Sequence, residues 1–487
     1  MTKKNIIIGL LIVIALVGFI KKDYLIDKSS DLLFGGRDYK EEVLTIVLSE
    51  SATDISPYSL NLNNLIRSAN IYQGLVAFDR NLKIIPSLAV SWGNLDSKTW
   101  EFKLRQGVLF HDRSAFTASN VIESYEAAIE EADSLVSTYL DNIEEIKVID
   151  DFNIQIITKT PDPLLLSKLT KFFITRPGNI GTGPYQIREW VKGMMFDLAA
   201  FTDYWGKQPA YRNVQYVVTS SKSLREKNFE DGKTDILTAV TQEQALELPK
   251  GQIKTSYGLE VNFLMFDLQD ELLSQREIRE AIQTIFDPAQ IEAIGNHFVR
   301  QATQFVAPGV YGYNPDIEPF EFNEENRAKD LFGELLEKIT FDHLSSYRTL
   351  SEYIIEQLRE AGFSVKDNAV SPEELLKKIK TNESQFYLIG WQAEDGDAGG
   401  FLDAFIHSEG EFNNGRYVNS EVDGLIEESR QEMNPQIRLE LLQKIMEKVH
   451  DDLIGIPLFE SSRLYAVQDG VDWEPRLDGL VLAAEVE

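Results

Sequence analysis

The sequence predicts an α/β chain of two or three lobes, and three observations carry that prediction. Its 487 residues exceed what one hydrophobic core organises, so at least two domains are required. The N-terminal half alternates apolar and polar residues in short runs, the pattern of half-buried strands. The C-terminal half places apolar residues three and four apart over longer stretches, the pattern of amphipathic helices.

The elements follow in order. Val43–Leu48 is a strand, Asp54–Tyr58 a loop, and Leu65–Leu75 a helix. Trp100, Phe102 and Leu104 alternate with Glu101, Lys103 and Arg105 in a further strand, and a turn runs through Phe110–Arg113. Thr117 is placed as the N-cap of a helix whose apolar face is Val121, Ile122, Tyr125, Ala128 and Ile129. Ile146–Ile149, Asp150-Asp151 and the alternating Phe152, Ile154, Ile156 spell a hairpin. Residues 180–262 mix strands and helices, including a strand at Val214–Thr219. Gln275–Phe286 carries Ile278, Ile282 and Ile285 on one helical face, and Thr349–Ala361 is a helix stopped by Gly362. Ser420 with Asp423 reads as a capping box, and Pro435 opens a helix burying Ile437, Leu441, Leu442, Ile445 and Val449.

Composition narrows the function classes. The chain has no cysteine, so disulfides, thiolate metal sites and cysteine nucleophiles are excluded. Its 48 basic and 78 acidic residues give a net charge of −30, which suits a solvated acidic surface and opposes nucleic-acid binding. The five histidines, at 111, 297, 343, 407 and 450, show no metal-ligand spacing, and no G-x-S-x-G, HExxH or P-loop occurs. No catalytic constellation, cofactor motif or metal site results, so the residues offer no candidate for an enzyme's chemistry.

At the N-terminus, Lys3-Lys4 precede Asn5–Ile20, an uncharged apolar run. As a helix it would span roughly 24 Å, short of the ~30 Å hydrocarbon core but sufficient with snorkelling lysines. No A-x-A-like cleavage site follows, so an uncleaved signal anchor is favoured over a cleaved signal peptide. Residues 21–42 are then a tether.

Four motif blocks stand in order along the chain. Residues 86–128 read PSLAVSW…FKLRQGVLFHDRSAFTASNV, followed by Gly181-Thr182-Gly183-Pro184-Tyr185 with Trp190 and Asp203-Tyr204-Trp205-Gly206. Gly390-Trp391 with Asp397, Phe401 and Leu402, then Asn413-Asn414-Gly415-Arg416-Tyr417, form the third, and Ile456-Pro457-Leu458 with Leu464-Tyr465 the fourth. Together they resemble the extracellular solute-binding proteins, family 5, the peptide-, dipeptide- and nickel-type receptors of ABC importers, from about Leu44 to about Leu480.

That resemblance implies a two-lobed periplasmic-binding-protein-like clamp of type II, peptide-binding class, with an extra subdomain. Mapped here, lobe I is 43–74, 172–262 and 466–487, the subdomain 75–171, and lobe II 263–465. It implies an extracytoplasmic, monomeric protein that captures peptides, dipeptides or oligopeptides, between its lobes and delivers them to an ABC transporter permease. The missing cysteine excludes the lipid anchor many such receptors carry; membrane attachment is expected through residues 5–20 where that segment is an uncleaved signal anchor and not a signal peptide. The alternative is a membrane-tethered peptide- or solute-sensing receptor of a signalling system.

The loop Trp391-Gln392-Ala393-Glu394-Asp395-Gly396-Asp397 is the chemical focus. On composition alone it is a solvated acidic turn or a calcium loop. The family's peptide-binding members hold the ligand α-ammonium with the acid at the W-x-x-D position and pack a tryptophan on the bound chain. The resemblance therefore implies ligand-binding roles for Glu394, Asp395, Asp397 and Trp391. Glutamate replaces aspartate at 394, Ala398 replaces the proline after the second aspartate, and Leu388 stands where some members carry a carboxylate-binding arginine. Arg300, Arg348 and Arg416 remain as substitutes for that arginine. Arg113 replaces the glycine of FHDG, so that turn either avoids a left-handed backbone or carries its strain.

Overall fold

The computed structural model describes residues 42–50, 54–59, 61–131, 134–322, 338–393 and 395–487. The expected anchor at 5–20, and the tether up to residue 41, lie outside the described residues. Among those described, no helix is long and apolar enough to cross a membrane.

An eleven-stranded sheet runs through both lobes. Its order is 185–191, 195–200, 213–218, 43–48, 236–237, 455–467, 253–266, 386–392, 338–344 and 364–370, with 299–301 also paired to 455–467. Val43–Leu48 lies parallel to Asn213–Val218, and Lys338–Leu344 lies parallel to Ser364–Val370. Two long antiparallel strands, Ile253–Phe266 and Gly455–Val467, join the halves. Their register breaks midway: Tyr257 faces Ser462, but the next pair is Val261 with Glu460. Three residues on one strand thus oppose one on the other, a bulge that bends the ribbon where the chain crosses between lobes.

Burial explains the layers. Leu44, Ile46, Tyr185, Leu198, Val214, Tyr216 and Trp473 form the core of the N-terminal lobe. In the other lobe, Val261, Phe263 and Met265 point into one cluster while Leu264 and Phe266 point into another, so this stretch of strand is buried on both faces. A separate four-stranded sheet, ordered 89–94, 99–104, 153–158 and 143–150, buries Trp100, Phe102, Leu104, Ile154 and Ile156 beneath the helix Ala118–Glu130.

Several local expectations hold. Asn120 Oδ1 accepts from the Thr117 N–H at 2.9 Å, closing a cap at the expected position. The hairpin forms from Ile143–Asp150 and Asn153–Thr158, and Gly362, at φ +96°, ends the helix Arg348–Glu360. Arg113 adopts φ +68°, so its turn does carry the left-handed backbone.

Others are corrected. The helix expected at 65–75 is Leu62–Ser68, capped by Asn61, and Gln73–Gly74 instead forms a strand against Phe173–Ile174. A side chain at Gly74 would lie 2.6 Å from the Leu169 carbonyl oxygen, so glycine is what lets the chains approach. Asn419, not Ser420, caps the helix Ser420–Ser429, accepting from the Glu421 and Val422 N–H groups. Ile129 and Ile437 are each 44% exposed, because each sits at the edge of its helix's apolar stripe.

Candidate functional site

The strand Phe386–Gln392 delivers the acidic loop to the cleft. Phe386, Tyr387 and Leu388 are completely buried, and the strand is hydrogen-bonded on both sides, which is why it reads as a continuous apolar run. Glycine at 390 is required by its neighbours: an added Cβ would lie 2.8 Å from Glu260 Oε1 and 2.9 Å from Asn262 Oδ1.

The loop's groups are engaged differently. Trp391 is half-buried with its ring 5.3 Å from Phe405, and its indole N–H is buried without a hydrogen-bond partner. Gln392 Oε1 accepts from Arg463 Nη2 at 2.9 Å. Glu394 lies outside the described residues. Asp395 accepts from Lys171 Nζ at 2.7 Å, an ion pair that ties the loop to the opposite side of the cleft. Asp397 is 6% exposed and receives Arg438 through both oxygens, at 2.5 and 2.9 Å, as well as the Gly399 N–H at 2.7 Å. Burial alone would lower the Arg438 pKa, but the hydrogen bonds and charge of Asp397 hold it above the usual value.

Beside the loop is a cavity of about 320 Å³, lined by Tyr72, Gln73, Tyr204, Leu259, Arg476 and Glu485 of lobe I, by Lys171 of the subdomain and by Gln392 of lobe II. Leu480, Leu482 and Ala484 line it while the intervening Val481 and Ala483 are fully buried, the segment passing into a short 3-10 turn at Ala483–Glu485. Gln73 is fixed on all sides: its Oε1 accepts from Thr182 Oγ1 and Trp205 Nε1, and its Nε2 donates to the Tyr204 hydroxyl. Arg476, 2% exposed, donates to Asp478, Glu485 and the carbonyls of Phe78 and Asp79. Glu485 Oε1 takes that bond, whereas its Oε2 is buried with no partner.

The arginines considered for a ligand carboxylate are all paired. Arg300 holds Glu460 and lies 4.2 Å from the Tyr257 ring, Arg348 pairs with Glu352 on the surface, and Arg416 pairs with Asp267. Burial raises the Glu460 carboxyl above its usual range against the pull of Arg300. Lys171, Gln73, Arg476 and Glu485 were not foreseen. Each reaches the cavity through pairings more than a hundred residues apart or a tail segment without a motif, so no local signal marked them. Among the described residues, no group of three or more histidines, aspartates and glutamates is placed to hold a metal.

Residues 83–413, more than half the chain, match the model of the bacterial extracellular solute-binding proteins, family 5 Middle. The chain belongs to that family. It is 24% identical over 454 residues to the dipeptide-binding protein of Escherichia coli (strain K12), covering 81% of this chain and 84% of that protein. It is also 24% identical over 455 residues to heme-binding protein A of Haemophilus influenzae, covering 81% and 82%. The fold is that of a periplasmic murein tripeptide binding protein in its unliganded open form, at a TM-score of 0.83 and 16% identity, over 92% of this chain and 97% of that one. Type II clamp architecture and an extracytoplasmic solute-binding role follow from membership, and the family consists of substrate-binding transport proteins, not enzymes.

Proposed function

We propose that this family 5 protein captures a short peptide between its lobes and delivers it to an ABC transporter permease, as a monomer held at the membrane by residues 5–20. The cavity of about 320 Å³ between the lobes carries the reading. It is near the lower end of the ~300–1,000 Å³ typical of small-ligand sites, which suits two or three residues better than a long chain. Aromatic walls and fixed amides suit a peptide backbone, and the relatives named for dipeptide and tripeptide binding support the class. Glu394 supplies the acceptor for the ligand α-ammonium, Asp395 adds a second carboxylate on the same loop, and Trp391 packs on the bound chain. Asp397 acts behind them by fixing the loop through Arg438.

Calorimetry with dialanine and trialanine tests the reading. A charge-assisted hydrogen bond is worth about 1.5–3 kcal/mol, so Glu394→Gln lowers affinity by about ten- to over a hundredfold. N-acetylation of the peptide reproduces that loss, and Glu394→Asp loses less. Equal binding of acetylated and free peptides would remove the ammonium contact.

A further inference from the structure

Lys171 is fixed at its backbone, while its charge sits at the end of a flexible four-carbon stem. Its N–H donates to the Lys168 carbonyl at 3.1 Å, and two residues on, Phe173–Ile174 pairs with Gln73–Gly74. From there the side chain lines the cavity and reaches the acidic loop. Its Nζ donates to Asp395 at 2.7 Å and stands 5.1 Å from the centre of the Tyr139 ring. An ammonium of the protein itself thus occupies the loop that the peptide reading gives to the ligand's ammonium.

The two partners are unequal. The Lys171 side chain is 13% exposed and that of Asp395 32%, so a ligand ammonium that takes Asp395 leaves the less hydrated partner short of counter-charge. A ligand carrying only a positive charge opens the pair at that cost. A ligand that also brings a carboxylate to Lys171 replaces both halves of the pair. Among the described residues, the cationic side chains lining the cavity are Lys171 and Arg476. Arg476 is neutralised by Asp478 and Glu485 and donates to the Phe78 and Asp79 carbonyls as well. Arg300, Arg348 and Arg416 do not line the cavity. Lys171 is therefore the cation placed to follow a ligand's negative end, and its three donors on a turning stem suit the move.

We propose that Lys171 is a specificity-determining residue that exchanges partners: before binding it holds the place of the ligand ammonium at the acidic loop, and on binding it passes from Asp395 to the ligand carboxylate. The site then selects short zwitterionic peptides over cationic ones of the same size. This rests on the peptide reading above and adds a length limit to it. Each further residue carries the carboxylate about 3.3–3.6 Å away from the ammonium, so the exchange works for a dipeptide and fails for a tetrapeptide.

Calorimetry on the full chain with dialanine and with dialanine amide, which keeps the ammonium and lacks the carboxylate, tests the exchange. In wild type the amide is expected to bind at least about tenfold more weakly, the worth of one charge-assisted hydrogen bond. Lys171→Met is expected to weaken dialanine by about as much. It is expected to leave the amide unchanged or to tighten it up to about fivefold, because the competing ammonium is gone. Lys171→Arg keeps the charge and is expected to keep most of the preference for the free acid. Tetraalanine and its amide are expected to differ less than about twofold in wild type, since that carboxylate lies about 7 Å farther out. Equal losses for dialanine and its amide in Lys171→Met would make Lys171 a structural residue and overturn the proposal. Amidation that costs tetraalanine as much as dialanine would overturn the length limit. The wild-type comparisons need no variant to fold. If none of these peptides binds, the peptide reading falls and the exchange with it; if they bind wild type with no preference for the free acid, the peptide reading stands and the exchange alone falls.

Discussion

The Gly181–Tyr185 segment and the Trp391–Ala398 loop both carry family motifs, yet different forces hold them. Around the first, the contacts are neutral and close. His111 lies with Nε2 3.1 Å from the Gly183 carbonyl and Nδ1 3.3 Å from the Gly181 nitrogen, so it donates at one atom and accepts at the other. Side chains at Gly181 or Gly183 would collide with the Ile71 backbone, at 2.1 and 2.6 Å. The loop is instead held by charge, through Arg438 on Asp397 and Lys171 on Asp395. The Gly181–Tyr185 segment itself carries no carboxylate, whereas in the loop the partly exposed Asp395 is free to exchange partners. This division is consistent with a rigid lobe facing an adjustable one.

The largest effect is expected at the buried pair. Arg438 and Asp397 are 4% and 6% exposed, and removing one partner leaves an uncompensated charge in the core of lobe II. Such a loss costs about 3–5 kcal/mol, so Asp397→Asn should lower the thermal unfolding midpoint sharply. Arg438→Met should do the same, and the double variant should recover part of the loss because the lone charge is gone. If Asp397→Asn left the midpoint unchanged, the loop would not depend on that pair.

A smaller effect is expected at the neutral region, and it depends on pH. Burial lowers the His111 pKa below the usual histidine value, against the pull of Gly183 and Asp112. Between the folded and unfolded pKa values the unfolded chain binds more protons, so stability falls as pH drops below about 6.5. Protonation would also place a hydrogen on Nδ1, where the Gly181 N–H now donates. Midpoints measured from pH 7.5 down to about 5 should decline, and His111→Gln should flatten part of that slope. The remainder belongs partly to His450, whose pKa burial also lowers.

Much of this architecture was legible in the sequence, for physical reasons that differ along the chain. Trp100, Phe102 and Leu104 gave away their strand because one face is buried and the other is not. The helix Pro435–Asp451 announced itself through its proline and apolar spacing; of the face expected buried, Ile437 is exposed and Leu441 half-buried, while Arg438 and Met446 are buried instead. The helix expected at 65–75 failed because Gly74 obeys a contact with Leu169, nearly a hundred residues away, and not its local propensity. At the site, the loop with Trp391, Asp395 and Asp397 was visible as a cluster of acids after an apolar strand. Its division of labour was not. Which aspartate meets Arg438 and which meets Lys171 depends on pairings 41 and 224 residues apart.

The smallest stability effect, and the sharpest test of the comparison, is at Asp395. Its side chain is 32% exposed and that of Lys171 13%, so solvent screens the pair and its worth is about 0–1 kcal/mol. Asp395→Asn should therefore move the unfolding midpoint little, in contrast to Asp397→Asn two residues on. Its effect should appear in ligand affinity and in salt dependence. In wild type, Lys171 competes with any cationic ligand group that approaches Asp395, and added salt weakens that contact across the cleft. Calorimetry with trialanine at low salt and at about 0.5 M NaCl should show a salt dependence that Asp395→Asn and Lys171→Met both reduce. A loss of stability at Asp395→Asn equal to that at Asp397→Asn would break the comparison, since the loop would then be held as one buried unit and neither aspartate would be free to exchange partners.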